Sequence, residues 1–131
     1  MPQGLIIACV DGDTTVLEAI QDFLEASSFN AIGFSSAEEL LDWADLASAS
    51  CLTTDIRLGG ISGVQVLQRL TALGFRIPII LILAFADDHA RVQALEAGAL
   101  AILSKPVAMD SLLTSIRNVL DHEGPASRPE R

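Results

Sequence analysis

Positive charge is what this chain has least of: eight basic residues stand against seventeen acidic ones, for a formal charge of −9. A single lysine, Lys105, and scattered arginines make no basic stripe that could follow a phosphate backbone, which argues against direct nucleic-acid binding by this chain. Long hydrophobic runs are missing too, since the longest, Pro78 to Ala86, falls well short of the ~20 residues of a membrane-spanning helix. No charged and then apolar leader with a cleavage site opens the sequence, so a cytoplasmic location without membrane contact is expected. Cysteine is scarce: Cys9 and Cys51 both lie in apolar, strand-like runs, where a small reduced core thiol is the ordinary role and a redox pair the alternative. The one tryptophan, Trp43, reads as a packing residue on a helix.

What is present is apolar and periodic. Half of the 131 residues are hydrophobic, enough to bury the core of one compact domain. That domain is expected over residues 1–122, with the polar, proline-containing stretch 123–131 as a disordered tail or the stub of a linker. Leu5 to Val10, Asn30 to Phe34, Cys51 to Thr54, Ile77 to Leu83 and Ala99 to Leu103 each have strand length and apolar content. Helical stripes alternate with them: Val16, Ile20, Phe23 and Leu24; Leu40, Leu41 and Trp43; Val66, Leu67 and Leu70; Val92 and Leu95; Leu112, Ile116, Val119 and Leu120. Asp13 or Thr14 suits the cap of the first helix and Asp110 that of the last; Thr15 with Glu18, Ser36 with Glu39, and Ser62 with Gln65 have capping-box spacing. Gly74 and Gly98 suit helix ends. Five strands alternating with five helices through short connections imply an α/β sheet with helices on both faces.

In such a sheet the carboxyl ends of the strands line the crevice where ligands bind. Three strand ends carry matching chemistry there: Asp11 after the first strand, Asp55 after the third, before a Gly-rich loop, and Lys105, fixed by Pro106, after the fifth. Taken alone, Asp55 could simply start a turn, Asp13 cap a helix and Lys105 be solvated.

VDGD at the first of these ends, TDIRLGGISG at the third and SKP at the fifth occur in an order and at a spacing that resemble the receiver domain of bacterial response regulators, over nearly all of residues 1–122. The resemblance implies a flavodoxin-like, CheY-like five-stranded parallel sheet of order 2-1-3-4-5. It implies that Asp55 is the phosphoacceptor in a His-to-Asp relay and that Lys105 pairs with the acceptor carboxylate or its phosphoryl oxygens. Mg²⁺ would be held by Asp11, Asp55 and the backbone carbonyl of Arg57, with Asp13 one residue displaced from a useful position, and the Lys105–Pro106 bond would be cis. It further implies a sensor histidine kinase or histidine phosphotransfer protein as donor, a signalling role rather than an enzymatic one, and a face around the fourth helix, fifth strand and fifth helix that meets a downstream protein, an output domain or a second copy.

Three positions depart from that pattern. Gly12 replaces a second acidic residue, which predicts weaker Mg²⁺ binding; Leu83 stands where the family has Thr or Ser; Ile102 stands at the usual aromatic position of the fifth strand. The last two remove both parts of the conventional coupling, so the domain could instead be an atypical receiver that binds a partner without phosphate. A reading from another class rests on Asp11-Gly12-Asp13-Thr14-Thr15, which resembles the DxDxT motif of haloacid-dehalogenase-type phosphatases, with Asp11 as nucleophile and Asp13 as general acid. It leaves Asp55 and its Gly-rich loop unexplained.

Overall fold

The computed structural model describes residues 5–58, 60–84 and 87–122. Five strands, β1 (Ile6–Val10), β2 (Asn30–Phe34), β3 (Cys51–Asp55), β4 (Ile79–Leu83) and β5 (Ala101–Ser104), form one sheet of order β2-β1-β3-β4-β5. Every pairing is parallel. The helices α1 (Thr14–Ala26), α2 (Ala37–Leu41), α3 (Gly63–Ala72), α4 (Asp88–Ala97) and α5 (Met109–His122) alternate with the strands, and a short 3₁₀ turn (Leu46–Ser48) precedes β3. This is the doubly wound sheet that the resemblance implied.

Alternation along the strands divides the core into two layers. Ile7, Cys9, Cys51, Ile80 and Ile82 face α1 and α5, where Leu17, Ile20, Leu24, Leu112 and Ile116 cover them. Ala8, Val10, Leu52, Ile79 and Leu81 point the other way, under Leu40 of α2, Val66, Leu67 and Leu70 of α3, and Ala94 of α4. All five residues of β3 and of β4 are buried, which is why these segments read as unbroken apolar runs and not as alternating ones. Both cysteines are free and buried. Burial pushes the Cys9 thiol up to about 11, and burial with the neighbouring Cys9 pushes Cys51 up to about 12. Both are core thiols that stay protonated.

The helix ends follow local chemistry, with four departures from expectation. Asp13 is the N-cap of α1 and accepts from the N–H groups of Thr15 and Val16, so Thr15 lies inside the helix and forms no box with Glu18. Ser36 caps α2, but Glu39 reaches back to Ser35, one residue beyond a capping box. Trp43 lies past the end of α2 and packs on Phe34 with ring centroids 5.3 Å apart. Asp110 sits within the first turn of α5, where its charge still suits the helix dipole. The Ser62–Gln65 capping box is complete, and Gly74 and Gly98 take the left-handed conformation at the ends of α3 and α4. Residues 123–131 lie outside the described residues.

One close approach ties β3 to α3. A Cβ on Gly63 would stand 2.6 Å from the Asp55 carbonyl oxygen and 3.0 Å from Ile56 Cα, both backbone atoms that cannot swing aside. Gly63→Ala is therefore expected to cost roughly 1–3 kcal/mol in urea denaturation. An unchanged midpoint would show that the strand end yields freely.

Candidate functional site

The register of the parallel sheet assembles the site. Val10 pairs with Thr54, so Asp11 and Asp55 emerge side by side at the carboxyl ends of β1 and β3. Lys105 follows β5 and continues the ladder by donating its N–H to the Leu83 carbonyl at 2.8 Å. Its side chain crosses the end of β4, placing Nζ 2.7 Å from Asp55 Oδ2 and 3.5 Å from Asp11 Oδ2. The Lys105–Pro106 peptide is cis.

Both carboxylates are nearly dry, with Asp11 2% and Asp55 8% exposed. One oxygen of each is held by the chain two residues on: Asp13 N–H donates to Asp11 Oδ1 at 2.8 Å, and Arg57 N–H donates to Asp55 Oδ1 at 3.1 Å. Asp55 Oδ2 takes the ammonium, whereas Asp11 Oδ2 has a charge partner but no hydrogen bond. Burial works against the charge of Lys105, but the hydrogen bond and charge of Asp55, then of Asp11, outweigh it and hold the ammonium above the ordinary lysine range. Two carboxylates with one ammonium leave a net negative site, and its buried oxygen without a hydrogen bond calls for another partner. Such a donor set fits a hard, oxygen-seeking divalent cation. It is a lean set: among the described residues no three His, Cys, Asp or Glu side chains cluster to hold a metal. Gly12 is exposed and supplies no carboxylate, while the Asp13 carboxylate is engaged in capping α1.

The remaining sequence candidates are apolar. Leu83, at the end of β4, is fully buried in a small cluster with Ile56 and Ala90, against which Val64 and Ile102 pack. Above it lies a contact that sequence reasoning missed. The Arg57 guanidinium reaches Asp87 Oδ2 at 3.4 Å, linking the turn after β3 to the N-cap of α4. Neither the capping role of Asp87 nor its partner 30 residues away was read from the sequence. Arg91 of α4 similarly reaches Ser104 Oγ at 3.3 Å. The geometry gives the phosphatase reading no support, because Asp13 caps the helix start and Lys105 pairs most closely with Asp55, which that motif does not use.

A doubly wound sheet with two acidic strand ends and a lysine gathered at its carboxyl edge defines an open α/β domain of the flavodoxin-like class, with its charged groups where such sheets bind ligands. Comparison with known proteins assigns it further. The sequence model of the response regulator receiver domain matches residues 7–117, and the chain belongs to that family. It is 36% identical over 118 residues to the response regulator protein TmoT of Ectopseudomonas mendocina, covering 90% of this chain and 54% of that protein. To the transcriptional regulatory protein FixJ of Azorhizobium caulinodans it is 30% identical over 130 residues, 99% of this chain and 62% of that protein. The crystal structure of FixJ-N superposes with a TM-score of 0.83 at 29% identity, covering 92% of this chain and 97% of that one. For full-length FixJ from B. japonicum the TM-score is 0.88 at 26% identity, covering 98% of this chain and 63% of that one. The chain thus spans between half and two thirds of the length of these curated relatives. The protein contains a receiver domain, a signalling domain of two-component systems.

The N–H of Ala90 first, and then Arg57, hold the Asp87 carboxyl below the usual carboxylate range. A depressed pKa stabilises the fold above the unfolded value of about 3.9, and the gain is lost as pH falls through the folded value. Asp87→Asn, which keeps a capping oxygen, is therefore expected to be less stable than the parent at pH 7 and to approach it below about pH 4. Paired thermal melts across that range test this, and a gap independent of pH would refute it.

Proposed function

We propose that Asp55 accepts a phosphoryl group from the phosphohistidine of a sensor histidine kinase or histidine phosphotransfer protein. The observation that carries this reading is the ammonium of Lys105, 2.7 Å from Asp55 and 3.5 Å from Asp11, beside a buried carboxylate oxygen that no hydrogen bond satisfies. An Asp55 oxygen attacks phosphorus in line, the P–N bond breaks, and the imidazole nitrogen leaves with the electron pair. Attack of an anion on an anionic phosphoryl group needs positive charge around the transferring oxygens, which Lys105 supplies from one side. Asp11, Asp55 and the Arg57 carbonyl would hold Mg²⁺, which when bound neutralises charge on the transferring group. Asp13 is left out of this set because it caps α1.

The reading extends to the surroundings. The domain would occupy residues 1–122 and do no chemistry beyond its own phosphorylation and dephosphorylation. It would act in the cytoplasm; among the described residues no helix is long and apolar enough to cross a membrane. Its output would pass through the face of α4, β5 and α5, where Val92 is 51%, Leu95 59% and Leu100 45% exposed. Such apolar exposure suits a second copy, a downstream protein or an output domain. The names of FixJ and similar relatives point to transcription as the process controlled, with DNA contact made outside this acidic chain.

A second reading is favoured by Leu83. Its burial among Ile56, Ala90 and Ile102 gives an apolar plug where a hydroxyl would answer the phosphoryl group, as in a receiver that binds its partner without phosphate.

Exposure to a small phosphodonor with Mg²⁺ separates the two. Intact mass is expected to rise by one phosphoryl group in the parent and not in Asp55→Asn; no gain in the parent leaves the phosphate-independent reading. A Cβ on Gly12 would meet no atom within 4 Å, so an added carboxylate is accommodated there. Gly12→Asp is expected to tighten Mg²⁺ roughly tenfold, about 1.4 kcal/mol, in a calorimetric titration. Unchanged affinity would show that the missing acid is not what limits metal binding.

A further inference from the structure

Helix α4 is fastened to the domain in an unusual way. Its buried residues are the small Ala90 and Ala94, while Val92 and Leu95, expected from the sequence to form its apolar stripe, face outward instead. Packing therefore holds it weakly, and polar contacts hold its first turns. Asp87 Oδ1 accepts from Ala90 N–H at 3.0 Å, Asp87 Oδ2 pairs with Arg57, and Arg91 reaches Ser104. A recess of about 240 Å³, lined in part by Ile56, Arg57, Ser62, Val64, Asp87 and His89, opens beside this turn.

Arg57 also touches the other side. Its N–H donates to Asp55 Oδ1 at 3.1 Å while its guanidinium holds Asp87 at 3.4 Å. One residue thus contacts both the carboxylate at the centre of the site and the cap of α4.

We propose that Arg57 and Asp87 are positioning residues forming an electrostatic latch, through which the charge on Asp55 sets the position of the first turn of α4. The latch takes the place of the hydroxyl and aromatic coupling that Leu83 and Ile102 cannot provide. The inference rests on the reading of Asp55 as phosphoacceptor. A phosphoryl group on Asp55 carries more charge than the Asp87 carboxylate and several acceptor oxygens. A planar guanidinium binds such a group in two-pronged fashion. The Arg57 side chain is 77% exposed, so changing partners gives up little packing. Exposed ion pairs are weak and easily exchanged. Once Arg57 turns to the phosphoryl oxygens, Asp87 keeps its bond to Ala90 but loses its tether to the turn after β3, and the start of α4 is released.

The test uses the full chain with Mg²⁺ and beryllium fluoride as the phosphoryl analogue, followed by backbone amide shifts. Peaks of Thr54 and Lys105 report occupancy, and those of Ala90 and Arg91 report α4. Asp87→Asn keeps the cap and removes the ion pair; a role in capping alone would leave the response to the analogue intact. The latch predicts that Ala90 and Arg91 in unliganded Asp87→Asn already lie displaced toward their analogue-bound positions in the parent. It also predicts that their remaining response falls at least twofold, and does so equally in Arg57→Gln. A response of parental size at Ala90 and Arg91 in both variants, with Thr54 and Lys105 shifting, overturns the latch while leaving Asp55 as acceptor. No shift of Thr54 and Lys105 in the parent overturns the acceptor reading, and the latch with it.

Discussion

The contact between Lys105 and Asp55 spans the end of an intervening strand, and the geometry of the carboxyl edge depends on it. Asp11 and Asp55 leave adjacent strands in register, so two nearly dry carboxylates are forced close together. Placing like charges in a poorly solvated pocket is costly unless a counter-charge and hydrogen bonds compensate. The ammonium, 2.7 Å from one carboxylate and 3.5 Å from the other, with an N–H bonded to each, supplies that compensation in part. One buried oxygen of Asp11 keeps a charge partner but no hydrogen bond, and it is the atom to which the proposed cation would bind.

Around this centre the domain divides its labour between two kinds of contact. Apolar packing fixes the sheet and the helices α1, α3 and α5, each of which buries large side chains in one of the two core layers. At the end of β4 the same packing continues through Leu83, an apolar side chain with no group to answer a change of charge on Asp55. In the proposed latch Arg57 takes that part, because it is polar, exposed and bonded to both sides. With Asp55 as the proposed acceptor and the apolar Leu83 and Ile102 beside it, signalling by charge needs some other responsive contact.

Much of this could be read from the chain. Strands buried on both faces leave continuous apolar runs, capping residues mark helix starts, and a lone lysine before a proline stands out among acidic neighbours. Asp11, Asp55 and Lys105 stood out at strand ends in this way, whereas Gly12, Leu83 and Ile102 stood out only as departures from the receiver pattern that the chain resembles. Local pattern failed where several residues compete for the same local role. Asp13 took the cap that left Thr15 inside the helix, Glu39 reached Ser35 and not Ser36, and Trp43 fell beyond a helix that ends at Leu41.

The sequence by itself determined the alternation of elements and the residues at the strand ends, because these depend on periodicity and on chemistry within a few positions, and it showed the family through motifs that match in order and spacing. Tertiary structure alone decided which side chains meet across the sheet. The pairing of Arg57 with Asp87, the reach of Lys105 to both carboxylates and the outward turn of Val92 and Leu95 all join or separate residues far apart in the chain. Such contacts follow from register and from the rotation of a helix on the sheet, and neither is encoded in any local window of residues.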